Sequence, residues 1–309
     1  MKFTVNLHFI VNYSMIFFMP STTSINKKIL KLRREYDQLR GGKESLLVLL
    51  DEAELPESVY NSNAIENSTL TLPETEKILL EMQVSRNISI REVNEAQNLA
   101  RVTIYIREKA KKEDISKEHI HTLHRMLLGN IDETIAGRFR QEGEYVRVGT
   151  HIASAPEHIE ELVEEILVEY TTVYDRFILD AIARFHLRFE DIHPFNDGNG
   201  RIGRVIMNWQ LVRLGFPQII IRDKEKQLYY HAFREYDAQK KTKTMERIVT
   251  LAMMESLHKR IAYLKGGTII PLVQHAKQLH VSVSAMLNAA KRQTIPAFRE
   301  KGVWKILVG

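Results

Sequence analysis

The sequence predicts a mainly α-helical bundle with a β-hairpin flap in its middle and a small separate domain at its C-terminus. Three observations predict it. Apolar residues recur at three- and four-residue spacing through most of the 309 residues, as the buried faces of helices require. Residues 137–155 break that period with three glycines and the alternating run Tyr145-Val146-Arg147-Val148, which is the pattern of a hairpin or extended flap. After Gly266-Gly267 the composition turns basic: residues 261–309 hold seven Lys or Arg against one acid, Glu300. That segment carries +6 of a total of +5, so the 260 residues before it sum to about −1, and the local basicity argues for a separate small C-terminal domain with its own partner.

Taken in order, the elements justify this reading. Residues 1–20 have an apolar character, but Asn6, His8, Asn12 and Ser14 interrupt the run and no small-x-small cleavage pattern follows. They read as a disordered extension, with Met19 an alternative start, rather than as a signal peptide. An amphipathic helix covers Ile25 to Arg40, and Gly41-Gly42 separates it from a second apolar run, Leu46 to Leu50. Leu72-Pro73-Glu74-Thr75-Glu76 is a helix start, with Pro in the first turn and acids at the positive end of the dipole. The helical period returns over Val93–Glu108 and Ile115–Leu128. After the flap, Pro156 opens another helix, and one over Asp180–Ile192 must end before Pro194.

Composition narrows the chemistry. With 44% hydrophobic and 27% charged residues, the chain is too apolar for a disordered one. The lack of cysteine excludes a disulfide scaffold, a Cys nucleophile and a thiolate zinc site, and fits a cytoplasmic setting. No run of about 18 apolar residues occurs, so no spanning helix and no membrane partner is expected.

The segment His193-Pro194-Phe195-Asn196-Asp197-Gly198-Asn199-Gly200-Arg201-Ile202-Gly203-Arg204 carries the chemistry. It is a glycine-containing loop entering a helix that runs to about Leu214. Free N–H groups at a helix start, with glycines allowing close approach, make an anion cradle. Arg201 and Arg204 are three apart, hence on one face, and the guanidinium fork suits phosphate. Asp197 stands where an acid would hold magnesium, and His193 where a base would meet a hydroxyl. Physics alone stops at a phosphate-handling site with a general base.

The same segment resembles the signature of the Fic (Fido) family, HxFx[D/E]GNGRxxR, at every fixed position. The resemblance spans residues 55–260, with GRFRQEGEYVRVGTHIASAP similar to the target-docking flap and IMNWQLVRLGFPQIIIRDKEKQLYYHAF to the base-binding region. It implies a protein adenylyltransferase that moves AMP from ATP to a Ser, Thr or Tyr hydroxyl of a protein, itself included. His193 would be the base, Asp197 the Mg2+ ligand, and Gly198, Asn199 and Gly200 the anion hole. Arg201 would hold the β-phosphate and Arg204 the γ-phosphate, while Phe195 anchors the loop. Asn208, Tyr229 and Tyr230 would lie near the adenine. Tyr145, Val146, Arg147, Val148 and Gly149 would pair with the target as an added strand.

Upstream, Ser62-Asn63-Ala64-Ile65-Glu66-Asn67 resembles the family's inhibitory motif, [S/T]xxxE[G/N]. On a helix Ser62 and Glu66 share a face. The resemblance implies that Glu66 pairs with Arg204, because a carboxylate and a phosphate compete for one guanidinium.

Residues 271–309 resemble a winged helix-turn-helix, with helices over about Pro271–His280 and Ser284–Arg292 followed by a basic hairpin. Ser284, Asn288, Lys291 and Arg292 would face a DNA groove, and Arg299, Lys301 and Lys305 would meet phosphates. The expected organisation is thus an extension over 1–20, an inhibitory helical region over 21–110, a catalytic core over 111–260 and the winged helix over 261–309. Three rivals stay open: another nucleotide donor, a deAMPylase, and a nucleotide-sensing DNA-binding regulator. A homodimer is compatible with all of them.

Overall fold

The computed structural model describes residues 24–84, 87–149, 151–172 and 177–309; the extension expected over residues 1–20 lies outside them. In chain order the elements are α1 (Ser24–Arg40), α2 (Glu44–Ile65), α3 (Leu72–Glu76), α4 (Ile90–Lys109), α5 (Lys117–Leu128), β1 (Arg147–Val148), β2 (His151–Ile152), α6 (Ile159–Thr172), α7 (Ile178–Ile192), α8 (Asn199–Arg213), α9 (Lys226–Gln239), α10 (Lys243–Lys265), β3 (Thr268–Pro271), α11 (Leu272–Gln278), α12 (Val283–Lys291), β4 (Ala297–Glu300) and β5 (Val303–Val308). The chain is mainly helical, as the periodicity predicts. Among the described residues no helix is long and apolar enough to cross a membrane.

Local chemistry explains several boundaries. Thr71 and Glu74 form a reciprocal capping box, with Pro73 in the first turn of α3. Ser89 and Ser116 accept from the third N–H of α4 and α5. Helix α7 stops at Ile192, and His193 caps it in the left-handed region at φ 51°. Helix α2 departs from expectation. The run Leu46–Leu50 is only the start of a 22-residue helix that carries Pro56 in its interior. An internal proline costs about 3 kcal/mol in a lone helix; here Pro56, Val59, Ala64 and Ile65 are buried, and tertiary packing outweighs the penalty.

Two apolar cores flank the central pair α7 and α8. Phe189, Phe195, Ile202 and Trp209 face the core shared with α4, α5 and α6. Leu187, Met207 and Leu211 face the one shared with α1, α9 and α10. Because α7 and α8 are packed on both sides, the loop between them is held rigidly at their common end. That loop is residues 193–198.

The C-terminal elements enclose a third, small core of Leu272, Ala290, Ala297 and Ile306. Strands β3, β5 and β4 form an antiparallel sheet in that order, of which β3 was not expected. Glu300 pairs with Val303, so Lys301-Gly302 is a two-residue turn, and both have the positive φ such a turn needs (49° and 77°). The tip docks on α2: the N–H groups of Lys301 and Gly302 donate to Glu57 at 3.0 and 3.1 Å. Glu57 also pairs with Arg222, which pairs with Glu255 at 2.9 Å.

This docking corrects part of the basic-hairpin reading. Arg299 is 12% exposed, held by Glu255 at 2.6 Å and Glu225 at 2.8 Å, and it lies over the Trp304 ring. It joins the hairpin to α10 and is not free for a phosphate. Lys305 pairs with Glu300 at 2.6 Å, and Lys301 with Glu76 at 2.9 Å while staying 67% exposed. Ser284, Asn288, Lys291 and Arg292 are exposed on and just after α12.

Replacing Glu57 by Ala leaves Arg222 short of one buried partner and two hairpin N–H groups unpaired. The expected loss is about 3–5 kcal/mol of stability, read as a lower urea midpoint; an unchanged midpoint would show that the network contributes nothing.

Candidate active site

The loop after α7 is closed by a side chain. Asn199 Oδ1 accepts from Phe195 N at 2.9 Å, and its Nδ2 donates to Phe195 O at 2.8 Å. Gly198 supplies φ 81° ahead of α8, a conformation that favours glycine. Its Cα also sits where a Cβ would meet Leu127 and Leu128 at 3.1 Å. Phe195 is fully buried and stacks on His124 at 3.7 Å. The first N–H groups of α8 are thereby aimed into a cleft of about 490 Å³ lined by His193, Asp197, Gly200, Arg201, Arg91 and Glu66.

Charges are arranged around that cleft. Arg201 is held by Glu95 and Asp197, both at 3.2 Å. Asp197 also takes Arg91 at 2.6 Å and accepts from Gly198 N at 2.6 Å. Arg204 Nη2 pairs with Glu66 at 2.9 Å. Its Nε donates to Ser62 Oγ at 3.0 Å and its Nη2 to Ser62 O at 2.8 Å. Burial works against the Arg204 charge, but Glu66 and Tyr229 overcome it and raise its pKa.

The end of α2 explains the form of the upstream motif. Asn67 takes the left-handed conformation at φ 67°, and the bonds Asn67 N to Ala64 O and Ser68 N to Asn63 O complete a Schellman cap. Only Gly or Asn suits that position well. The turn presents Glu66 to α8, where a Cβ on Gly200 would meet Glu66 Oε1 at 2.2 Å.

The residues expected near adenine have other partners. Asn208 exchanges two bonds with the backbone of Ile219, at 2.8 and 3.1 Å. Tyr229 is buried with its hydroxyl 2.6 Å from His186 Nε2, and lies under Arg204. Tyr230 donates to Ile65 O at 2.5 Å, holding the residue before Glu66. A cavity of only about 30 Å³ separates Ser62, Arg204, Asn208 and Ile219. The flap forms the expected hairpin, with Arg147 opposite Ile152 and Val148 opposite His151. Tyr145, Arg147, Val148 and Gly149 are exposed and Val146 is half-buried.

Three positioning residues escaped the sequence. Arg140 is buried, donating to the carbonyls of His193 at 2.9 Å and Ser154 at 2.7 Å, so it staples the loop to the flap. Its only signal was a basic residue inside the flap segment. His124 accepts from Gly137 N through Nδ1 at 2.9 Å and donates from Nε2 to Asp197 O at 3.0 Å. Burial pushes it down to about 4, so it is neutral in one tautomer. Arg91 reaches Asp197 from α4, 106 residues away. No local pattern marks either.

As to a metal, no group of three or more His, Cys, Asp or Glu with a metal-holding arrangement occurs among the described residues. An all-protein cage is therefore not the fit. Magnesium usually takes one or two carboxylates and completes its shell with water and substrate phosphates, and the part-exposed Asp197 carboxylate at the mouth of the anion cradle suits that.

Comparison with known proteins places this geometry. Residues 114–211 match the Fic/DOC family. Over 219 residues the chain is 34% identical to a protein adenylyltransferase Fic of Nematostella vectensis, covering 69% of this chain and 50% of that one. The chain spans about half the length of the curated relatives it matches. A Fic-domain-containing signaling protein of Bacteroides thetaiotaomicron superposes with a TM-score of 0.70 at 25% identity, over 78% of this chain and 97% of that one. A Fic family protein of Desulfovibrio desulfuricans gives 0.61 over 94% and 98%, and at 22% identity that likeness concerns fold alone.

His124 also predicts an acid limit. Its folded pKa lies below the unfolded value of about 6.5, so its contribution is complete above pH 6.5 and is lost as pH falls toward 4. Melting temperatures taken across that window should fall, and His124→Gln, which keeps a donor and an acceptor, should flatten the slope. An equal slope in both chains would remove His124 as the cause.

Proposed function

We propose that the chain, whose residues 114–211 match the Fic/DOC family, is a protein adenylyltransferase held down by its own Glu66. The observation that carries the proposal is the convergence of His193, Asp197, Gly200 and Arg201 on one cleft, with the Arg204 guanidinium beside Gly200 and occupied by Glu66. The names of the relatives support the reaction.

His193 takes the proton of a target Ser, Thr or Tyr hydroxyl. The freed oxygen attacks the α-phosphorus of ATP, the bond from that phosphorus to the β-phosphate bridging oxygen breaks, and pyrophosphate leaves. The protein's contribution is positioning and charge neutralisation, as in other phosphoryl chemistry. Gly198, Asn199 and Gly200 offer N–H groups to phosphate oxygens, Arg201 takes the β-phosphate, and Arg204 the γ-phosphate once Glu66 withdraws. Magnesium, held by Asp197, supplies neutralisation of the phosphates when bound. The outer edge of the flap, Tyr145 to Gly149, is open for a target strand.

On this reading residues 21–110 form the inhibitory region, 111–260 the core and 261–309 a winged-helix module, in a cytoplasmic protein. The exposed Ser284, Asn288, Lys291 and Arg292 support a DNA-facing helix, with Lys301 the hairpin cation most open to a phosphate. Binding to duplex DNA that weakens steeply with salt, and weakens further in Lys291→Ala with Arg292→Ala, is the expected result; equal binding by both chains would remove α12 as the contact.

The enzymatic test is labelling with α-³²P-ATP and magnesium. Wild type should label weakly, Glu66→Gly strongly, and Glu66→Gly with His193→Ala not at all. Equal labelling of the first two would sink the inhibitory role, and labelling of the third would assign the base elsewhere.

A further inference from the structure

Glu190 lies one turn before His193 on α7 and has no part in the steps above. Its side chain is 12% exposed, with Oε2 3.9 Å from His193 Nδ1, within ion-pair range but longer than a hydrogen bond while Glu66 is in place. Its Oε1 is buried without a hydrogen-bond partner. The carboxylate fits there because α8 has a glycine opposite it: a Cβ on Gly203 would meet Glu190 Oε1 at 2.5 Å. Gly200 makes the matching space for Glu66, at 2.2 Å. Gly200 and Gly203 are three apart and share a face of α8, so two carboxylates press on that face one turn apart, with Arg204 next to both.

We propose that Glu190 is the positioning residue for His193, holding the imidazole through Nδ1 so that Nε2 meets the target hydroxyl, and that Glu66 disarms it while engaged. The proposal rests on the transfer reading and adds a second action of the brake, on the base as well as on the phosphate site. A carboxylate at one ring nitrogen fixes the tautomer and stabilises the imidazolium that forms when the other nitrogen takes a proton. A neutral carboxyl does the second of these poorly.

The groups facing Glu190 are His186 on α7, His193 just after it, Arg204 on α8, Tyr229 and Tyr230 on α9, and Glu66 after the end of α2. With Glu66 in place, burial and then the Glu66 charge push the Glu190 carboxyl up to about 8, against the pull of Arg204. It is then mostly protonated at pH 7. His186 adds no charge, since burial and Arg204 push it down to about 3. Burial raises the Tyr229 hydroxyl as well, so it too stays neutral. When Glu66 withdraws, a repelling charge goes and an attracting one stays, and Glu190 moves toward its ionised form. One displacement thus frees Arg204 for phosphate and charges the acid behind the base.

The test follows the His193 ring by NMR in full-length protein with ¹³C-labelled histidine, its signal assigned by loss in His193→Ala. In Glu66→Gly, Glu190→Gln should lower the His193 pKa by about one unit, as loss of a neighbouring opposite charge does. With Glu66 intact, the same substitution should leave that titration in place. In the Glu66→Gly background it should also reduce kcat for labelling at pH 7 at least about tenfold, with KM for ATP unchanged. Coincident His193 titrations in Glu66→Gly with and without Glu190→Gln would overturn the proposal. If Glu190→Gln does not fold, Glu190→Asp decides by the same criterion, a His193 shift only where Glu66 is absent. If no chain transfers AMP, the transfer reading fails, while the titration still judges Glu190.

Discussion

A buried guanidinium needs an anion, because an unpaired charge in a protein interior costs several kcal/mol. Arg204 is 5% exposed, and the structure gives it Glu66 and Ser62 from the end of α2. The rest of the site is arranged around that pairing. Gly200 leaves room for the carboxylate, Asn67 turns the chain so that Glu66 faces α8, Tyr230 holds the carbonyl before it, and Tyr229 closes the floor. A phosphate in the same place would satisfy the same guanidinium, so on the proposed reading inhibition and substrate binding would be alternative answers to one electrostatic demand.

Helix α2 delivers that carboxylate, and its own anchoring is ionic. Arg260 is 2% exposed and bonds to Asp51 and Glu54. Lys259 bridges Glu54 to Glu300 of β4, and the hairpin turn caps Glu57. Glu54 is held down to about 2: burial opposes its charge, and Arg260 and Lys259 outweigh it. Helix α2 is therefore tied to α10 and to the C-terminal sheet, which places the basic hairpin in the scaffold of the site as well as on the surface.

How much was legible depended on the distance between partners. The Thr71–Glu74 cap, the end of α7 before Pro194 and the flap hairpin all follow from contacts within a few residues, and the structure has them where the pattern puts them. The sequence shows only the two ends of α2, the apolar run Leu46–Leu50 and the helical face of Ser62 and Glu66; that they form one helix through Pro56 is decided by packing. The adenine residues were placed by resemblance, and their side chains turn out to hold Ile219, Arg204 and Ile65. Arg299 reads as a free cation in a basic segment; Glu255 and Glu225, 44 and 74 residues away, bind it instead.

The sequence by itself determined the helical class, the hairpin and the glycine loop that opens α8, since residues 193–204 form one turn and the start of one helix. Tertiary structure decided which charges meet. Ser62 and Arg204 are 142 residues apart, and Arg140 reaches His193 across 53. Arg91 reaches Asp197 from a separate helix. Nothing in local periodicity encodes such pairings, because they depend on how α2, α4, α7 and α8 pack, and it is burial at those contacts that sets the charge and hydrogen bonding of Arg204, Asp197 and His193.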